Sequence, residues 1–264
     1  MNDHKSRPSL IALFTDFGPR GIYTGQMEAV IAASGTGVPV IELCSDAPVF
    51  NPRASAYLLA GLAGEMPDNT LFVCVVDPGV GGDRRALSVR TGRHGFVGPD
   101  NGLLSQVVRH SDPCSIQMID WIPTRLSDAF HGRDLFAPTA ARLALGEKIP
   151  GTALDPTDIV GADWPMDLNE IIYADHYGNL LTGLRASQIE QDTLLEVKGQ
   201  TLSYRRTFCE AQPGEAFWHA DSIGLVEISV NGGRAEEVLG LKTGDSVVIK
   251  GLGPRAEGRG KLAE

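Results

Sequence analysis

The stretch Val75-Val76-Asp77-Pro78-Gly79-Val80-Gly81-Gly82-Asp83-Arg84-Arg85 places a carboxylate and a guanidinium at the two ends of a glycine-rich turn. The glycines let backbone approach a ligand closely and supply φ > 0 where the turn needs it. The apolar run Leu71–Val76 reads as a buried parallel strand that stops on Asp77. In open α/β sheets ligands bind beyond the carboxyl ends of the strands, so Asp77 stands where such a fold does its chemistry. Thr15-Asp16-Phe17-Gly18 closes an earlier apolar run and puts Asp16 at the same sheet edge. A carboxylate there suits a ribose diol, two acceptor oxygens facing two vicinal hydroxyls; a helix cap or turn aspartate is the other reading. His131, in Phe130-His131-Gly132-Arg133-Asp134, precedes a helix. It can serve as general base, hydrogen-bond donor or metal ligand, or simply bond Asp134 within a turn. Asp175-His176-Tyr177-Gly178-Asn179 and Asp221-Ser222-Ile223-Gly224 gather polar groups around glycines, as binding corners and ordinary hairpins both do.

These residues need elements to hold them. Leu10–Phe14, Val38–Leu43 and Leu71–Val76 read as strands, and 26–33, 54–63, 103–109 and 135–145 as helices. Short strands are expected at 86–89 and 94–97. The alternation predicts an α/β domain with a largely parallel sheet over residues 8–150. Residues 151–167 read as a linker. Over 168–252, short strands separated by turn signals predict a smaller all-β domain, and the tail Arg255–Glu264 is expected to fray.

Composition narrows the partners. The chain has 264 residues, 42% hydrophobic and 21% charged, which suits a folded protein. A net charge of −10 disfavours nucleic acid and anionic membranes. Cys44, Cys74, Cys114 and Cys209 are scattered without a CxxC pair, which argues against a zinc site and for reduced thiols in a cytoplasmic setting. No signal core or membrane-spanning run is visible. The Gly79–Arg84 loop lacks the last glycine of GxGxxG, and no GxxxxGK[ST] occurs, so nicotinamide-cofactor and ATP readings lose support.

TDFG after the first strand, VVDPGVGG-DRR, GPDNG, FHGRD-FAP and DHYGN-L-T occur here in the order in which one family carries them. From about Leu10 to Ile249 the chain resembles the S-adenosyl-L-methionine hydroxide adenosyltransferases, adenosine-forming S-adenosylmethionine hydrolases related to fluorinase and chlorinase. The resemblance implies an N-terminal α/β domain, a β-barrel-like C-terminal domain, and a homotrimer with active sites between subunits. It implies S-adenosylmethionine and water as substrates, adenosine and L-methionine as products, and neither cofactor nor metal. The family's catalytic set maps onto Asp77, Arg84 and His131, and its ribose-binding aspartate onto Asp16. The aromatic flanking the nucleoside maps onto Phe50, the carboxylate near the methionine amine onto Asp175, and the adenine-reading amide onto Asn179. Ser222 falls in the motif at the amino-acid end. The resemblance makes Asp77 and His131 the groups that hold and polarise a water, with Arg84 orienting Asp77.

One departure stands out. Many relatives carry TDFG-x-x-D, and Gly21 replaces that acid here. Either Asp175 suffices for the ammonium group, or the site prefers another sulfonium or 5′-substituted adenosine. A binding or sensing protein with little catalysis and a halide-using transferase are the alternatives to hydrolysis. The absence of the halogenases' extra loop and the presence of the DRR set favour water.

Overall fold

Three apolar runs, Leu10–Thr15 (β1), Val40–Cys44 (β2) and Thr70–Val75 (β3), lie side by side as parallel strands with β1 in the middle. The computed structural model describes residues 7–112 and 114–252; the expected frayed tail lies outside them. Thr15 pairs with Val75, so Asp16 and Asp77 leave the sheet at one edge. Gly95–Pro99 (β5) extends the parallel set beside β3.

The rest of this sheet corrects the expectation of a largely parallel one. Ala86–Thr91 (β4), Cys114–Ile119 (β6) and Gly151–Leu154 (β7) each run antiparallel to their neighbours, in the order β2-β1-β3-β5-β4-β6-β7. The reason is the connection: only Gly92–His94 separates β4 from β5, and so short a turn can join antiparallel strands but cannot carry a crossover.

Helices Thr24–Ala33 (α1), Pro52–Glu65 (α2), Ser105–Arg109 (α3) and Ala137–Ala144 (α4) accompany the sheet. Asn51 caps α2 by accepting from the Ala54 N–H at 3.0 Å, and Pro52 supplies a preset φ at its start. The helix expected over 135–145 begins earlier, as a π turn over Gly132–Phe136 that runs into α4. The core joins Ile11, Leu13, Val73 and Val75 of the sheet to Met27, Ile31, Phe136 and Ala137, Ala140 and Ala144 of α4. Each large side chain so buried contributes about 1.5–3 kcal/mol.

The chain divides into two compact units between Met166 and Asp167. Residues 151–166 are fastened to the first unit rather than left as a free connector. They supply β7, the Val160 N–H donates to Asp100 at 2.9 Å, and Tyr57 donates to the Pro165 carbonyl at 2.6 Å. Trp164 lies over Gly102, where a Cβ would stand 2.1 Å from the indole.

The second unit is a seven-stranded sheet: Leu168–Ala174 (β8), Leu180–Arg185 (β9), Thr193–Val197 (β10), Gln200–Tyr204 (β11), Ala216–Ala220 (β12), Leu225–Val230 (β13) and Val248–Leu252 (β14). Only β11 and β12 pair in parallel. The order is β14-β10-β11-β12-β13-β9-β8, and the sheet curls into a half-barrel. Glu170 bridges Ser246, and the Val247 N–H donates to the Asn169 carbonyl at 2.9 Å. Trp218, Leu180, Leu195, Val226 and Ile228 fill the interior. Among the described residues no helix is long and apolar enough to cross a membrane.

Candidate active site

Asp77 follows β3 on a backbone held from the side: the Asn101 amide donates to the Val76 carbonyl at 2.9 Å. The chain then turns through Gly79–Gly82. Gly81 has φ +81°, and a Cβ there would stand 2.5 Å from the Asp128 carbonyl oxygen, so only glycine fits. The turn brings Arg84 back onto Asp77. Its Nε lies 2.9 Å from both carboxylate oxygens, and its Nη2 bonds Oδ2 as well. The same Nη2 lies 2.9 Å from His131 Nδ1. The Arg84 guanidinium also sits over the Phe136 ring, 5.2 Å from its centroid. The Asp77 and Arg84 side chains are 3% and 10% exposed, and His131 is buried.

The donor count fixes a protonation state. A guanidinium has no acceptor, so His131 Nδ1 must accept, and the imidazole is neutral with its proton on Nε2. Burial, and after it the Arg84 charge, hold the His131 pKa below its ordinary value, which favours the same neutral form. The turn reading, with His131 bonded to Asp134, does not hold. Asp134 is engaged by Arg133, at 2.6 and 2.9 Å, and by the Ser127 N–H at 2.9 Å.

Asp16 lies just past β1, and its Oδ2 accepts from the Phe50 N–H at 3.0 Å. Burial raises its pKa, and the Asp77 charge acts in the same direction. Phe50 has φ +56°, an αL conformation that bulky residues avoid. The bond to Asp16 and the start of α2 just after it hold the strained residue in place, and its ring is 75% exposed. Asp16 and Phe50 thus form one unit, an acceptor beside a bare aromatic face.

The loop between β1 and α1 explains Gly21. The Gly21 N–H closes a turn on the Gly18 carbonyl at 3.0 Å. A Cβ at position 21 would stand 2.6 Å from the Phe17 carbonyl oxygen. In this conformation no side chain fits there, acidic or otherwise. Phe17, Tyr23 and Phe130 pack against one another with centroids 5.1–5.6 Å apart. Arg133 reaches across to Gln26 on α1 at 3.0 Å, tying the start of that helix to the segment that carries His131.

In the second unit, Asp175 and Asn179 face each other across the β8–β9 turn. Asp175 accepts from the Asn179 N–H at 2.9 Å and from its Nδ2 at 3.0 Å, which sets the direction of the amide. Tyr177, on the same turn, is exposed. Ser222 is exposed on the β12–β13 turn, which Asp221 closes by accepting from the Ile223 and Leu225 N–H groups. The two turns flank opposite ends of β9: Leu180 pairs with Ile228, and Arg185 with Leu225. The structure therefore joins Asp77, Arg84 and His131 in one bonded set, Asp16 with Phe50, and Asp175 with Asn179. It keeps Ser222 apart from the last pair.

Residues 11–152 match the family model described as the SAM hydroxide adenosyltransferase N-terminal domain, and residues 169–248 match that of the C-terminal domain. The chain belongs to the SAM hydroxide adenosyltransferase family. The (R)-S-adenosyl-L-methionine hydrolase of Salinispora arenicola is 35% identical over 253 residues, covering 90% of this chain and 97% of that one. The hydrolase of the same name from Thermus thermophilus is 35% identical over 89% of this chain and 96% of its own. A crystal structure of an uncharacterized conserved protein from Thermotoga maritima superposes with a TM-score of 0.81 at 29% identity, covering 90% of this chain and 99% of that one.

Sequence reasoning gave no role to Asn101, Arg133 or Gln26, which hold the backbone around the set. Asn101 and Arg133 lie inside motifs already singled out, GPDNG and FHGRD, so their positions carried a signal. Gln26 carried none.

Proposed function

We propose that this family member hydrolyses S-adenosyl-L-methionine to adenosine and L-methionine by in-line attack of water on C5′. The observation that carries the proposal is the Asp77–Arg84–His131 set, in which one guanidinium binds a carboxylate and an imidazole at once.

The sulfonium is already a good leaving group, so no acid is needed to expel methionine. Water is a weak nucleophile, and holding it in line with the C–S bond supplies much of the barrier reduction. In the protonation state above, Arg84 only donates, and His131 Nδ1 is occupied while Nε2 carries hydrogen. Of the three groups, Asp77 alone has lone pairs to spare. Asp77 accepts the water's proton as the O–C5′ bond forms and the C5′–S bond breaks, the electron pair leaving on methionine sulfur. His131 Nε2–H orients the water oxygen, and Arg84 fixes both partners. Asp16 takes the ribose diol and Phe50 stacks on the nucleoside. Asn179 reads adenine, and Ser222 contacts the amino-acid end. Asp175 orients Asn179 by accepting from its N–H and its Nδ2.

The reaction calls on no metal. The sulfonium is already an activated leaving group and no phosphate is transferred. We also carry the homotrimer as part of the proposal, on the family resemblance, and light scattering measures it directly.

Incubation with S-adenosylmethionine in ¹⁸O-water tests the chemistry. The expected result is adenosine labelled at the 5′ oxygen, formed at an unchanged rate in excess chelator. No adenosine, or a 5′-halo product when chloride or fluoride is present, overturns it in favour of binding alone or of halide transfer.

A further inference from the structure

A second group of titratable residues lies in the second unit, away from the set already described. His219 on β12 is flanked by Phe208 and Phe217, each with a ring centroid 5.4 Å away. Its Nδ1 lies 3.1 Å from the Ala220 carbonyl oxygen. Its Nε2 lies 3.2 Å from Glu227 Oε1 and 3.2 Å from Ser229 Oγ, both on β13. Ser229 donates to the same Glu227 oxygen at 2.9 Å, and Ser229 and Glu227 are buried.

Serine, histidine and glutamate together suggest a nucleophilic triad, but the connectivity is wrong. Both partners meet the same ring nitrogen, whereas a triad needs them on opposite ones, and Ser229 is 0% exposed. A different assignment follows from the acceptors. A carbonyl can only accept, so Nδ1 carries hydrogen. A carboxylate faces Nε2, so Nε2 carries hydrogen as well. The ring is an imidazolium, and it is the cation that balances Glu227.

The carbonyl that His219 grips belongs to the peptide entering Asp221. Asp221 then closes the turn, accepting from the Ile223 N–H at 2.9 Å and the Leu225 N–H at 2.8 Å. Its own N–H donates to the Leu225 carbonyl at 2.9 Å. The turn exposes Ser222 and Gly224, and of the two only Ser222 carries a side chain. We propose that His219 is a positioning residue whose imidazolium, held between Glu227 and the Ala220 carbonyl, sets the Asp221–Gly224 turn and so places Ser222 against the amino-acid end of the substrate. The part concerning substrate rests on the hydrolase proposal above; the part concerning the turn does not.

Charge accounting supports the direction of the effect. The ionisable groups facing His219 are Glu227 on β13 and Asp221 in the turn. Cations on neighbouring elements are committed elsewhere: Arg205 to Glu215, Arg206 to Glu210, and Arg185 to Asp167. Burial acts to lower the His219 pKa, but the Glu227 hydrogen bond and charge outweigh it, and the net shift is upward. Burial and then the Glu227 charge raise Asp221. Losing the His219 proton leaves the buried Glu227 and the partly buried Asp221 without their shared cation. A group with a raised folded pKa stabilises fully below its unfolded value and loses that contribution as pH rises through the folded one. The turn therefore loosens on the alkaline side.

The test has two arms on the full chain. In the ligand-free protein, NMR of the histidine rings and of the Ser222 and Ile223 amides is followed against pH. We expect His219 to titrate above the ordinary imidazole value and both amides to track it. In turnover, we expect KM for S-adenosylmethionine to rise about ten-fold through the same pH range while kcat is nearly unchanged. His219→Gln should show the high KM at every pH, with native near-UV dichroism from Trp218 reporting that it folds. If that variant does not fold, Glu227→Gln, which should lower the His219 titration and move the amide transition with it, decides the question. Turn amides indifferent to His219 titration, or a His219→Gln KM profile parallel to that of the parent, overturn the proposal. Absence of adenosine at any pH sinks the hydrolase reading instead, and the NMR arm still decides whether His219 sets the turn.

Discussion

Replacing Arg84 by methionine keeps much of the side chain's bulk but removes every bond that joins Asp77 to His131. The pair it breaks is buried, with Asp77 at 3% and Arg84 at 10% exposure, so solvent does little to screen the carboxylate left behind. Removing one partner of such a pair costs about 3–5 kcal/mol. At about 2–4 °C per kcal/mol for a unit of this size, the melting transition of the first unit should fall by roughly 6–20 °C. Adenosine formation should fall about 10²–10⁴-fold, because neither the proton acceptor nor the imidazole keeps its aim. The His131 pKa should rise toward its ordinary value, since the guanidinium that opposed its protonation is gone. Thermal melting, chromatography of adenosine and NMR of the imidazole read the three effects separately. Combining Arg84→Met with Asp77→Asn should restore part of the lost stability, because the uncompensated charge disappears. A single variant melting within about 2 °C of the parent, or a double variant whose losses simply add, would refute the idea of a coupled buried set.

Phe50→Gly should relieve the αL strain and stabilise the fold by about 1 kcal/mol, yet weaken adenosine binding roughly ten-fold through loss of the stacking face; denaturant melting and calorimetry with adenosine measure the two effects. Gly21→Ala should destabilise the first unit by about 1–3 kcal/mol, because its Cβ meets backbone 2.6 Å away, and Gly21→Asp should not create an ammonium contact. Turnover should decline on acidification through the depressed pKa of His131, where Nδ1 gains hydrogen and can no longer accept from Arg84. Its contribution to stability has the matching sign: the folded pKa lies below the unfolded one, so the contribution is complete above the unfolded value and is lost as pH falls through the folded value. In the pH–rate profile Arg84→Met should move that acid limb upward.

The edge that carries Asp16 and Asp77 was legible because strand ends are legible. The apolar runs before Asp16 and Asp77 are unbroken, and two parallel strands in register must release their next residues at one edge. The partnership of Arg84 with His131 was readable only as a family pattern, since residues far apart in sequence meet through a glycine turn whose shape depends on Asp128. Sheet direction beyond β3 was misread because short strands around a tight turn look alike in composition whether they pair in parallel or not; the turn length carried the answer. The strand within 151–167 was hidden by surrounding prolines, glycines and aspartates, and only its pairing with β6 makes it a strand. Gly21 read as a missing acid. The backbone shows instead a turn so tight that the position cannot carry a side chain, a fact about Phe17 that no residue-by-residue comparison contains.

The pairing of Asp77 with Arg84 also answers an electrostatic problem in the proposed reaction. The substrate arrives with a full positive charge on sulfur, and that charge disperses as water attacks C5′. A lone carboxylate nearby would hold the cationic ground state more strongly than the dispersed transition state, and so raise the barrier. Arg84 cancels the field of Asp77 at a distance while leaving its oxygens as directional acceptors at contact range. A neutral His131 adds a donor without adding charge. On this account the site needs Arg84 as much for what it removes as for what it holds. Asp77→Asn alone should damage kcat and also raise KM for S-adenosylmethionine, because it leaves the Arg84 charge uncompensated near the sulfonium, whereas Asp77→Asn with Arg84→Met, which removes both charges together, should damage kcat while leaving KM nearly unchanged. A large rise in KM in the double variant would show that Asp77 binds the cation and does not serve chiefly as the acceptor.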